Sequence, residues 1–186
     1  LRRQRQMCIR DRWKIAQSPL VNSVYVAPGN GGTELESNIT NVNISSDDIE
    51  GLSMFALKNK INLTIVGPED PLVKGITDNF TEKGLKCFGP TKDAAKLEGS
   101  KDFMKKFLED NQIPTAEYKS FKCVEEAIKY VEEKGCPIVI KADGLAAGKG
   151  VTVAMDLPTA YQALEDIFNS GIQNLKTIVV IEEFME

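Results

Sequence analysis

At 186 residues the chain is long for one domain and short for two, and its 42% hydrophobic and 27% charged content is that of an ordinary soluble globular protein. The net charge of −4 is uneven: residues 1–12 hold five arginines and one aspartate, which leaves −8 on the remainder. An acidic body argues against a nucleic-acid surface, and no apolar run approaches the roughly 20 residues that span a bilayer.

Leu1 to Arg12 has no initiator Met and no usable amphipathic period, so it is expected to be a non-native segment that adds nothing to the fold. It also lacks the apolar core of a signal peptide. Cys8, Cys87, Cys123 and Cys136 are scattered without metal-like spacing, which predicts free thiols in a reducing, cytoplasmic setting. The four N-x-[ST] triplets are then chance matches.

Trp13 to Gln17 has the pattern of a helix tail that closes at Ser18-Pro19. Val24 to Val26 is a short strand, stopped by Pro28-Gly29-Asn30-Gly31-Gly32. Ser45-x-x-Asp48 resembles a capping box, after which Ile49, Leu52, Phe55 and Ala56 repeat at helical spacing. Ile61 to Val66 is a second strand, ended by the turn Gly67-Pro68-Glu69-Asp70-Pro71. Val73, Ile76 and Phe80 mark the next helix, with Gly84 just past its end, and Lys86 to Phe88 is a third strand. Strands alternating with helices predict a parallel sheet.

The second half changes character near residues 89–99. Lys92 to Leu97 and Ser100 to Gln112 are helical, the latter expected to bury Phe103, Met104, Phe107 and Leu108. Glu117 to Phe121 is a strand, and Val124, Ala127, Ile128 and Val131 form a helix closed by Gly135. Pro137 to Lys141 and Val151 to Ala154 are strands around a glycine loop. Ala160, Leu164, Ile167 and Phe168 line a further helix. Thr177 to Ile181 is the last strand, expected at an exposed sheet edge because the chain stops soon after it; both ends look cut.

The glycine loop is the most telling stretch. The strand Val139-Ile140 delivers Lys141 into Ala142-Asp143-Gly144-Leu145-Ala146-Ala147-Gly148-Lys149-Gly150 before Val151 resumes a strand. Small residues let backbone N–H groups approach an anion, and the lysines add positive charge. Gly144-x-x-x-Gly148-Lys149 is one residue short of a Walker A loop and leads into a strand instead of a helix. A strand, glycine loop and strand folded over phosphates is the arrangement of ATP-grasp ligases; the plain alternative is a hairpin with a glycine-rich turn. Lys141 ends an apolar strand, so its charge calls for an anionic partner. Lys101, in the first turn of its helix, is by default an exposed lysine. Glu182-Glu183-Phe184-Met185 follows an apolar strand, where a carboxylate beside free backbone groups can read an adenine edge. In the first half, the loops at Asn30 to Gly32 and at Pro68 to Asp70 follow strands, where open α/β sheets bind ligands. Each is equally a tight turn with solvated side chains.

In order, Tyr25 to Thr33, Val66 to Leu72, Phe88 to Thr91, Leu97 to Lys101, Ile113 to Ala116, Lys141 to Val151 and Ile181 to Phe184 closely resemble the phosphoribosylamine–glycine ligase (glycinamide ribonucleotide synthetase) family, over residues 13–186. The resemblance implies an α/β fold: residues 13–90 as an N-terminal Rossmann-like parallel-sheet domain lacking its first strand, and residues 91–186 as the first part of an ATP-grasp domain. It implies ATP-dependent joining of glycine to 5-phosphoribosylamine in purine biosynthesis, with ATP and Mg2+ (or Mn2+). By the family pattern Lys101 and Lys141 would contact ATP phosphates, and Gly144, Leu145, Ala146, Ala147, Gly148, Lys149 and Gly150 would close over them. Glu182, Glu183, Phe184 and Met185 would bind adenine. Asn30, Gly31, Gly32, Pro68, Glu69 and Asp70 would face the phosphoribosylamine. No metal ligand is expected before Glu186. Leu1 to Arg12 stands where the family has a glycine-rich phosphate turn, and the chain has no histidine, so turnover by this stretch alone is not expected. Other ATP-grasp carboxylate–amine ligases share the Lys101, Lys141 and Glu182 roles but have no reason to carry Gly67-Pro68-Glu69-Asp70-Pro71-Leu72. A non-catalytic nucleotide-binding module is the remaining alternative.

Overall fold

The structure, a computed structural model, describes residues 10–33, 38–145, 150–170 and 177–185. The chain forms two compact units, Leu1–Ala95 and Lys96–Glu186, each built around its own core.

In the first unit a helix over residues 10–16 (α1) precedes β1 (Val24–Val26) and β2 (Ile39–Asn41), which pair in parallel with Val24 opposite Ile39. The expectation that residues up to Arg12 stand outside the fold is corrected here. Arg12 is buried and donates from Nη2 to the Gly32 carbonyl at 2.7 Å. The strand β2 is an element that the apolar pattern did not signal, because its three residues hold one apolar side chain.

Helix α2 (Ile49–Lys58) starts where Asp48 accepts the Gly51 N–H at 2.9 Å, so Asp48 is the cap and Ser45 belongs to the preceding turn. Glu50 in its first turn and Lys58 in its last suit the helix dipole. Strand β3 is confined to Thr64–Ile65 and pairs in parallel with β4 (Cys87–Phe88). Pro68 to Pro71 is not a free turn: Glu69–Lys74 is helical (α3), with Pro68 in extended conformation as its cap. Gly75, at φ +94°, then breaks the expected single helix and starts α4 (Ile76–Glu82). That backbone region is open to glycine at little cost and strains other residues. Ala56, Ile76 and Phe80 form a small core with Ile49, Leu52, Val66, Leu72 and Leu85 around it.

The division between the units falls within α5 (Lys92–Gly99). In the second unit Ser100 caps α6 (Lys101–Asp110) by accepting the Phe103 N–H at 3.1 Å. The burial expected of α6 is corrected: Phe103 and Phe107 are exposed, Met104 and Leu108 are half-buried, and the one buried residue is Lys105. Strands β5 (Tyr118–Phe121), β6 (Ile138–Ala142), β7 (Val151–Ala154) and β8 (Val179–Glu183) form one antiparallel sheet in the order β5-β8-β6-β7. Helices α7 (Val124–Lys134) and α8 (Leu157–Ser170) contribute Ala127, Val131, Ala160, Ala163 and Leu164 to the core. These meet Phe121, Ile138, Ile140, Ala154, Val179 and Ile181 from one face of the sheet. Strand β8 is not an exposed edge: it lies between β5 and β6, its residues from Val179 to Glu182 buried. None of the described helices is long and apolar enough to cross a membrane.

Candidate functional site

Side chains alternate across a strand, so the residues that do not face α7 and α8 share the other face. Lys141 lies opposite Val180 and Val139 opposite Glu182, which makes Lys141 and Glu182 diagonal neighbours on that face. Tyr118, opposite Glu182 on β5, joins them.

Glu182 is 5% exposed, and a carboxylate so buried has to be paired. It is paired twice. Oε2 lies 3.1 Å from Lys105 Nζ and Oε1 lies 2.8 Å from Lys141 Nζ. Lys105 has further partners: Nζ donates to Thr115 Oγ1 at 2.8 Å and to the Ala116 carbonyl at 3.1 Å, and sits 5.4 Å from the Tyr118 ring centre. Burial, followed by the Glu109 carboxylate that accepts its hydroxyl at 3.0 Å, pushes the Tyr118 phenol up to about 12. Glu182 thus has a cation on each oxygen, while Tyr118 beside it meets the Glu109 carboxylate.

The glycine loop starts from a second cluster. The Asp143 carboxylate accepts from Ser100 Oγ at 3.1 Å and from the Asp102 N–H at 3.2 Å, so it reaches the N-terminus of α6. Lys101 Nζ donates to the Gly144 carbonyl at 2.9 Å, and the Asp143 N–H to the Ile178 carbonyl at 2.9 Å. Gly144 has φ +92°, and a Cβ there would meet nothing, so what calls for glycine is the backbone turn and not lack of space. Where the loop returns, the Ala142 N–H donates to the Gly150 carbonyl at 2.7 Å and closes the β6–β7 hairpin. Ala146, Ala147, Gly148 and Lys149 lie outside the described residues.

The structure therefore joins Lys141 to Glu182, and Lys101 to the start of the loop at Gly144. Leu145, Phe184 and Met185 are exposed. Glu183 is engaged elsewhere: its Oε1 accepts the Glu117 N–H at 2.8 Å, and its own N–H donates to the Glu117 carbonyl at 2.9 Å. Sequence reasoning missed Lys105. The available signal was its position one turn after Lys101, on the stripe shared with Met104 and Leu108, where a lysine is held among apolar neighbours.

In the first unit, Asn30 accepts the Gly32 N–H on Oδ1 at 3.0 Å, and its own N–H donates to Thr33 Oγ1 at 2.8 Å. The fully buried Thr33 hydroxyl also meets the Asn30 carbonyl and Asn41 Oδ1. Gly29 approaches Asn41 so closely that a Cβ would overlap that side chain. The loop from Gly29 to Thr33 is thus held by its own bonds, with Gly31 bordered by open space. Glu69 and Asp70 occupy the first turn of α3, where Asp70 pairs with Lys74 at 2.5 Å. Among the described residues, no group of three acidic, Cys or His side chains could hold a metal ion.

The family description "Phosphoribosylglycinamide synthetase, N domain" matches residues 8–98, and "Phosphoribosylglycinamide synthetase, ATP-grasp (A) domain" matches residues 99–186. Over 175 residues the chain is 58% identical to the phosphoribosylamine–glycine ligases of Haemophilus influenzae and of Escherichia coli K12, covering 94% of this chain and 41% of each relative. The chain thus spans about two-fifths of the length of these relatives. The solved phosphoribosylamine–glycine ligase of Thermotoga maritima superposes with a TM-score of 0.72 at 31% identity, over 98% of this chain and 42% of that one. A biotin carboxylase domain from Hydrogenobacter thermophilus shares the fold, with a TM-score of 0.67 at 20% identity over 83% of this chain and 36% of that one. Two consecutive descriptions of one family account for residues 8–186, and the chain belongs to the phosphoribosylglycinamide synthetase family.

Proposed function

We propose that the chain supplies the ATP-contacting side of a cytoplasmic carbon–nitrogen ligase that joins glycine to 5-phosphoribosylamine, giving glycinamide ribonucleotide, ADP and phosphate for purine biosynthesis. The γ-phosphoryl group passes to an oxygen of the glycine carboxylate, which turns a poor leaving group into phosphate. The amine of phosphoribosylamine then attacks the carbonyl carbon, phosphate departs with the carbon–oxygen bond, and the nitrogen loses a proton. Lys101 and Lys141 bind triphosphate oxygens, and residues from Gly144 to Gly150 offer backbone N–H groups to them. Glu182 accepts the exocyclic amine of adenine, with Phe184 and Met185 beside the ring. Asn30, Gly31, Gly32, Pro68, Glu69 and Asp70 would face the phosphoribosylamine, with open space beside Gly31. Glu183 joins Glu182, Phe184 and Met185 in the adenine assignment, with its side chain and N–H engaged with Glu117.

One observation carries the nucleotide assignment: a buried carboxylate with a cation on each oxygen, on the sheet face beside the glycine loop. The residues fit ATP. Glu182 Oε1 is buried and, though at ion-pair distance from Lys141, accepts no hydrogen bond among the described residues, which leaves a lone pair for an amine donor. Magnesium would neutralise charge on the phosphates when bound. Its protein ligands, as those of manganese in its place, are assigned to the part of the relatives that this chain does not span. The partners are small molecules; neither nucleic acid nor membrane is assigned.

Calorimetric titration of the chain with ATP and Mg2+ tests this. Saturable one-to-one binding is expected, and Lys141→Met, which keeps most of the apolar stem, should weaken it by roughly tenfold to a hundredfold. No binding by the unchanged chain, or unchanged affinity in the variant, refutes the assignment.

A further inference from the structure

The two lysines on Glu182 are not equivalent. Lys105 is 2% exposed, donates to Thr115 and Ala116 and is ion-paired with Glu182, all within its own unit. Lys141 is 24% exposed on its side chain, and Glu182 is its one ion-pair partner among the described residues. An ammonium with three fixed acceptors in a buried place stays where it is. An ammonium with one ion-pair partner and access to water can change partners at little cost.

Accepting the nucleotide reading above, on which this rests, we propose that Lys105 is a positioning residue that sets base specificity. It holds the Glu182 carboxylate by Oε2, so that Lys141 is free to leave Oε1 for an incoming phosphate while Glu182 stays aimed at the adenine amine. Without Lys105, Glu182 would have Lys141 alone as a cation. Binding phosphate would then strand a buried carboxylate, and the two tasks of Lys141 would compete. The same anchoring explains discrimination. A fixed, ionised acceptor welcomes the amine at position 6 of adenine and repels the carbonyl oxygen that guanine carries there. A buried polar group left unpaired is what makes such rejection strong. Lys105 touches neither base nor phosphate in this scheme and acts only through Glu182.

The test is titration of the 186-residue chain with ATP and with GTP, each with Mg2+. The unchanged chain should prefer ATP. Lys105→Met should lower ATP affinity about tenfold and shrink the ATP-to-GTP preference. Lys141→Met should weaken both nucleotides alike and keep the preference. In a Glu182→Gln background, Lys105→Met should change the preference no further, an outcome that general loosening of the fold would not produce. If Lys105→Met does not fold, Thr115→Val, which removes one acceptor and keeps the cation, should shrink the preference to a smaller extent. The ammonium signals of nitrogen-15-labelled lysine give a measurement without any variant: adding ATP should shift Lys141 and leave Lys105 in place. A preference indifferent to Lys105→Met and Thr115→Val, or a shift confined to Lys105, overturns the proposal and leaves the nucleotide reading standing. Failure of the unchanged chain to bind ATP overturns both.

Discussion

Each unit holds a three-charge cluster, and the two are mirror images. In the second unit one anion, Glu182, stands between Lys105 and Lys141; in the first, one cation, Lys74, stands between Asp47 at 3.1 Å and Asp70 at 2.5 Å. Their distances are similar and their burial is not. The Lys74 side chain is 45% exposed, whereas those of Glu182 and Lys105 are 6% and 2% exposed. Water screens the first cluster, and its members lose little if a partner goes. In the second, Glu182 and Lys105 have given up their hydration and depend on each other, while Lys141 keeps its access to water. The distance between two charges therefore says little about which of them a fold relies on.

The contrast can be broken most directly at Glu182. Glu182→Ala leaves Lys105 buried without its carboxylate and should cost about 3–5 kcal/mol in urea unfolding followed by circular dichroism. A loss below about 1 kcal/mol would mean that the buried cluster behaves like a surface one. Next in size is the cap of α6. Ser100→Ala removes an acceptor for the Phe103 N–H and a donor to Asp143, and should cost about 1–2 kcal/mol. Asp48→Ala in the first unit removes a cap alone and should cost about 1 kcal/mol. Equal losses would show that the bond to Asp143 adds nothing to the capping. At the small end, Lys74→Ala should leave the urea midpoint unchanged within error at high and low salt; a clear, salt-dependent drop would promote the exposed cluster to a structural one.

Tyr118 sharpens the comparison by pH. Its phenol is raised to about 12 by burial and by Glu109, against roughly 10 in an unfolded chain. The folded form thus keeps its proton longer, so the contribution to stability is complete below about pH 10 and fades as pH climbs towards 12. Absorbance at 295 nm should show a late tyrosine step near pH 12 that Tyr118→Phe removes. A last step near 10 would place Tyr118 in ordinary solvent.

Much of this molecule was legible from residue order. Apolar spacing located α2, α7 and α8, and Pro28 to Gly32 ended β1 as such residues do. The run from Lys141 to Gly150 announced a hairpin with a cation at its mouth, and the series of motifs announced the family. Those features are local, or are strings of local features, and the forces behind them act within a turn or a strand. What the sequence obscured is equally specific. Glu69 and Asp70 read as a turn because Pro68 and Pro71 flank them, although proline is well tolerated at the start of a helix. Phe103 and Phe107 looked like the inner side of α6 because they are the largest apolar residues there. The inner place went to Lys105, whose ammonium pairs with the buried Glu182 carboxylate.

Residue order alone is enough to locate most helices and strands, the glycine turn and the family. That β8 runs between β5 and β6 follows from the packing of the whole second unit. That one placement carries Glu182 to Lys141, 41 positions earlier in the chain, and to Lys105, 77 positions earlier. Helical and strand periodicity reach a few residues along the chain, whereas strand pairing joins residues at any separation. The charge balance of the site was therefore set by which strands meet, under the rule that a buried carboxylate must find its cations.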